Sequence, residues 1–100
     1  MLNEETILRQ IGQDTPCVYI LRCGDGTLYA GWTNRLTHRL AAHRAGRGAR
    51  YTRGRGPVAL VYARAFDDAA EAMRREAQVK KLSRARKQRL IEAAQTALDK

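Results

Sequence analysis

The sequence predicts an α+β domain: a small, three-stranded, mainly antiparallel sheet flanked by helices in the order β-β-α-β-α-α. Three observations carry that prediction. Two β-branched and aromatic runs flank a Gly-Asp-Gly turn, "CVYILRCGDGTLYAGWT". A third apolar run, "VALVYARAF", follows Pro57. Between and after these runs the spacing changes to helical, with leucines at Leu36 and Leu40 and a late stripe of Leu90, Ile91, Ala94 and Leu98.

The elements follow in order. Residues 3–11 form a short helix in which Asn3 caps, Glu4 and Glu5 suit the first turn and Gly12 stops it. Residues 1–15 are thus an N-terminal extension, and 16–96 the domain proper. After the hairpin, "TNRLTHRLAAHRAG" is a helix with Gly46 past its end. Residues 46–56 are an Arg/Gly loop. Asp67 or Asp68 caps a second domain helix reaching about Lys81, and Ser83 caps a third reaching about Leu98.

The chain has 100 residues and a formal net charge of +9. One domain with a modest core is expected at that length. No apolar run approaches the ~20 residues of a membrane span, and the acidic start, MLNEETILRQIG, lacks the pattern of an export signal. A cytoplasmic, monomeric protein is expected. Cys17 and Cys23, six residues apart on one strand, would stand roughly 20 Å apart, too far for a disulfide. The positive charge is concentrated: residues 44–55 hold five arginines and no acid, and residues 74–89 hold eight basic residues and one acid, Glu76. Such clustering marks a polyanion-binding surface.

Several polar residues fall on faces that should be apolar. With a three-residue Gly-Asp-Gly loop, Tyr19 pairs with Gly31 and Leu21 with Tyr29. The two phenols then share a face about 7 Å apart. A two-residue Asp-Gly turn would send them to opposite faces. Gly31 would leave open space beside the Tyr19 ring. On the first domain helix, Arg39 and His43 lie along the Leu36–Leu40 stripe, as an edge cation and an ordinary buried histidine or as parts of a site. On the second, a stripe of Ala69, Ala72, Met73 and Ala77 encloses Glu76. Glu76 either pairs with Lys80 at i+4 or offers its carboxylate to a hard cation.

Together "VYIL…LYAGWTNRLTHRLAAH…RREAQVKK" resembles the GIY-YIG nuclease domain, above all the small stand-alone bacterial proteins built of little else. Cys17-Val18-Tyr19 stands at the first signature and Tyr29-Ala30-Gly31 at the second. The first lacks its glycine and the second has Ala30 for isoleucine, both at structural strand positions.

The resemblance implies metal-dependent hydrolysis of a DNA phosphodiester, with roles in DNA repair or processing. It places the catalytic residues at Tyr19, Tyr29, Arg39 and His43, and the metal-binding carboxylate at Glu76. Arg39 would offer a bidentate fork to the phosphoryl oxygens. Mg²⁺ (or Mn²⁺) would be weakly bound through Glu76. Tyr19 would be the base, its pKa pushed down by Arg39 and the metal, with Tyr29 and His43 positioning water or relaying the proton.

The basic runs, Arg47, Arg50, Arg53 and Arg55 with Lys80, Lys81 and Arg84, would bind the phosphate backbone, and Tyr51 would either stack on a base or pack the loop. The expected partner is DNA, with RNA as the alternative. A binding module without catalysis is the competing function.

Overall fold

The computed structural model describes residues 3–98, and side chains as far as residue 95. The elements are α1 (Glu4–Gln10), β1 (Cys17–Arg22), β2 (Leu28–Thr33), α2 (Leu36–Arg44), β3 (Ala59–Ala65), α3 (Ala69–Lys80) and α4 (Arg84–Leu98), with a single 3-10 turn at Arg50–Thr52. The three strands form one antiparallel sheet in the order β2-β1-β3.

The hairpin register follows from its turn. Cys23 and Thr27 pair through a 2.9 Å N–H···O bond, Gly26 N–H closes back on the Cys23 carbonyl, and Gly26 takes a φ of 85°. That is the three-residue loop whose last position suits glycine. Tyr19 therefore faces Gly31, and Leu21 faces Tyr29. Against β3 the register shifts between Ile20 and Leu21, a bulge that the sequence pattern did not signal.

Each sheet face has its own core. Cys17, Tyr19, Leu21 and Cys23 pack with Ile7 of α1 and with Leu36 and Leu40 of α2. Val18, Ile20, Leu28, Ala30 and Tyr62 pack with Ala72, Val79 and Ile91 of α3 and α4. Both cysteines are buried and unbridged, and burial pushes the Cys17 thiol up to about 11.

The caps act as their residue types suggest. Asn3 accepts from Thr6 N–H, Asp68 from Glu71 N–H and Ser83 from Arg86 N–H. One expected face is corrected. On α3 the inward residues are Ala72 and Val79, whereas Met73 is 50% exposed and Ala77 is exposed too. The Leu98 side chain, assigned to the α4 stripe, lies outside the described side chains.

Candidate active site

Alternation along β1 and β2 points both phenols at α2. The Tyr19 and Tyr29 ring centroids are 6.5 Å apart. Tyr19 is 1% exposed and Tyr29 half-buried. The space beside Gly31, expected to be open, is instead filled by the Tyr19 phenol. Across from the phenols, the helical stripe of α2 buries Leu36, Leu40 and His43 and leaves Arg39 half-buried. The His43 ring centroid lies 5.9 Å from that of Tyr19 and 5.5 Å from that of Tyr29.

A chain of side-chain hydrogen bonds runs through this cluster. Tyr19 Oη and His43 Nε2 are 2.9 Å apart. His43 Nδ1 and Thr52 Oγ1 are also 2.9 Å apart, and Thr52 donates its hydroxyl to the Ala49 carbonyl at 3.0 Å. Thr52 was absent from the residues expected at the site, and so was Gly48. A Cβ at Gly48 would stand 2.2 Å from His43 Nδ1, so only glycine lets the loop come this close. Neither residue carries a local signal, since each matters through a partner on another element.

Charge and burial oppose one another here. Burial pushes the Tyr19 phenol up to about 12, and the hydrogen bond from Arg39 lowers it without winning. Arg39 alone therefore does not give the downward shift expected of Arg39 and the metal together. His43 is held down at about 4, first by burial and then by the Arg39 charge. Arg39 is raised, chiefly by its hydrogen bond to the Tyr19 oxygen, with Tyr29 contributing. The resting cluster thus holds a protonated phenol, a neutral imidazole and a guanidinium facing both phenols.

The metal-binding candidate comes from the other layer. Glu76 is half-buried on α3, and Lys80 Nζ lies 3.9 Å from its Oε2. The same ammonium lies 5.6 Å from the Tyr29 ring centroid, so α3 brings the Glu76–Lys80 pair to the Tyr29 edge of the cluster. Among the described residues no three or more His, Cys, Asp or Glu side chains group to hold an ion. One carboxylate fits a hard cation that keeps most of its water, as Mg²⁺ does, and fits no thiolate- or imidazole-bound metal.

The Arg-rich loop folds back onto the hairpin. Tyr51 stacks on Tyr29 with centroids 5.7 Å apart, and the Arg55 guanidinium lies 4.2 Å from the Tyr51 centroid. Arg55 also bonds Asp25 at 2.8 Å. Tyr51 is therefore engaged in packing the loop, although it remains 40% exposed. Arg47, Arg50, Arg53 and Lys81 are exposed. Arg84 donates to the Gly26 carbonyl and, with Lys87, Thr27, Leu28 and Tyr51, lines an open groove of about 200 Å³.

The chain is similar to known proteins. The GIY-YIG catalytic domain model matches residues 15–89. A UPF0213 protein of Natronomonas pharaonis is 54% identical over 74 residues, covering 74% of this chain and 87% of that protein. One from Clostridium perfringens is 57% identical over 74 residues, covering 74% and 80%. The solution NMR structure of a UPF0213 protein from Bacillus halodurans superposes with a TM-score of 0.53 at 48% identity, over 79% of this chain and 84% of that one.

Proposed function

The chain belongs to the GIY-YIG catalytic domain family, and on that premise we propose that it is a metal-dependent endonuclease that hydrolyses DNA phosphodiester bonds. In this reading target choice is by DNA shape or is nonspecific, in repair or processing. The observation that carries the proposal is the convergence of Arg39, His43 and both phenols on one sheet face.

Phosphodiester hydrolysis builds negative charge on the phosphoryl oxygens, and Arg39 supplies a fixed donor fork for it. Glu76 would hold Mg²⁺ or Mn²⁺, and the ion when bound supplies stabilisation of the leaving oxygen. The burial of Tyr19 supports Tyr29 as the phenol that meets the attacking water. Tyr19 and His43 then stand behind it, holding Arg39 and the proton network in place. Exposed Arg47, Arg50, Arg53 and Lys81 bind the backbone, with Arg84 and Lys87 along the adjoining groove.

A second reading, a DNA- or RNA-binding module without turnover, is favoured by one observation: Lys80 Nζ lies 3.9 Å from the Glu76 carboxylate, a loose ion pair where the metal would bind. Cleavage assays with Mg²⁺ on single-stranded, nicked and branched DNA decide between them. Wild-type cleavage that falls about a hundredfold or more in Arg39→Ala and in Glu76→Ala supports the nuclease. Salt-sensitive binding with no cleavage of any substrate establishes the binding module instead.

A further inference from the structure

Thr52 is 4% exposed and sits in the Arg-rich loop, nine positions from the histidine it contacts. Its hydroxyl has one proton, and that proton is committed: the Ala49 carbonyl, 3.0 Å away, can only accept. Thr52 Oγ1 can therefore only accept from His43 Nδ1, which must carry hydrogen. In a neutral imidazole Nε2 is then bare, so it accepts the Tyr19 hydroxyl at 2.9 Å. With its proton sent to His43, the Tyr19 oxygen keeps its lone pairs for the neighbouring Arg39 cation. That polarity is the one a guanidinium requires, because it has donors and no acceptor.

We propose that Thr52 is a positioning residue that sets the direction of every hydrogen bond from Ala49 through His43 and Tyr19, and thereby aims the Arg39 guanidinium at the scissile phosphate. The inference rests on the nuclease reading for its catalytic consequence only. Without the Thr52 hydroxyl, His43 gains by moving its proton to Nε2. Tyr19 then accepts from His43, its own hydrogen must point elsewhere, and Arg39 competes with that hydrogen for the phenol's remaining lone pair. The Gly48 approach to Nδ1 serves the same end by letting the loop reach the ring.

The test uses the 100-residue chain. His43 and His38 are its only histidines, and His38 is exposed, so a ¹⁵N imidazole spectrum at neutral pH separates them. Wild-type His43 should show a protonated Nδ1 and a bare Nε2; a protonated Nε2 overturns the proposal. Thr52→Val, of nearly the same shape, should shift the proton to Nε2 and average the guanidinium signals of Arg39, while lowering DNA cleavage by about tenfold or more. Thr52→Ser should restore all three.

An unchanged tautomer and unchanged Arg39 signals in a folded Thr52→Val variant also overturn it. Should that variant not fold, the wild-type tautomer and its retention in Thr52→Ser decide. Should wild type cleave nothing, the nuclease reading fails, and the tautomer and Arg39 signals still judge the role of Thr52.

Discussion

Gly31 stands directly across from Tyr19 in the β1–β2 ladder, and the Tyr19 phenol lies where a side chain at Gly31 would be. A Cβ at that position would be 2.6 Å from the phenol oxygen and 2.8 Å from Cζ. Tyr19 has nowhere to retreat, being 1% exposed within a packed core. Gly31→Ala should therefore cost about 1–3 kcal/mol through overpacking and separate the phenol from His43. Urea denaturation measures the cost. A midpoint equal to that of wild type, with cleavage retained, would show that the ring moves freely and refute this packing.

Buried His43 makes stability depend on pH above the range where the perturbed carboxylates act. Its folded pKa is about 4 against an ordinary 6.5, so between those values the unfolded chain binds more protons. Stability should rise with pH across that window and be lost as pH falls through it. Asp25, held to about 2 by Thr27 and Arg55, and Glu4, lowered by Arg44, act with the same sign but at more acid pH. The slope between pH 5 and 6.5 should therefore vanish in His43→Gln. Urea midpoints collected across that interval check it, and an undiminished slope in the variant would assign the effect to another group.

Local chemistry made the hairpin and α2 legible, while partners set far away in sequence hid the rest. The Gly-Asp-Gly loop fixed the face shared by Tyr19 and Tyr29, and the Leu36–Leu40 spacing placed His43 inward. On α3, runs of alanine give a weak periodic signal, so the stripe could be drawn through Met73 when Val79 and Ala72 are the residues the sheet buries. Thr52 lies in a loop with no periodicity, and its meaning comes from a contact across nine residues. The direction in which Arg39 alone leaves the Tyr19 phenol was hidden for a different reason. Sequence shows that an arginine is near, whereas the burial that outweighs it is a property of the assembled core.

The free edge of β3 is closed by the N-terminal helix, which lies outside the matched residues 15–89. The Glu4 carboxylate accepts from Leu60 N–H at 2.7 Å and pairs with Arg44, which also donates to the Val58 carbonyl at 3.3 Å. One acid thus satisfies an edge-strand donor and fastens the end of α2 beside His43. Glu4→Ala should lower stability by about 1–3 kcal/mol, since the strand donor and the guanidinium lose a charged acceptor together. Chemical denaturation gives the value, and Glu4→Gln, which keeps an acceptor for Leu60, should recover part of it. Equal losses in both variants would leave the carboxylate charge, and not the edge bond, as the cause.

Two arginines of one loop should behave differently towards DNA. Arg53 is exposed, whereas Arg55 bonds Asp25 at 2.8 Å and lies 4.2 Å from the Tyr51 ring centroid. Each cation that neutralises a duplex phosphate adds about 0.9 to the slope of log affinity against log salt. Arg53→Ala should thus flatten that slope by about 1. Arg55 is already neutralised within the fold, so Arg55→Ala should leave the slope nearly unchanged while weakening binding, because Tyr51 and the loop lose their anchor. Fluorescence anisotropy titrations with labelled duplex at several salt concentrations separate slope from affinity. If Arg55→Ala flattens the slope as much as Arg53→Ala does, Arg55 abandons Asp25 for a phosphate on binding, and the loop must open to bind DNA.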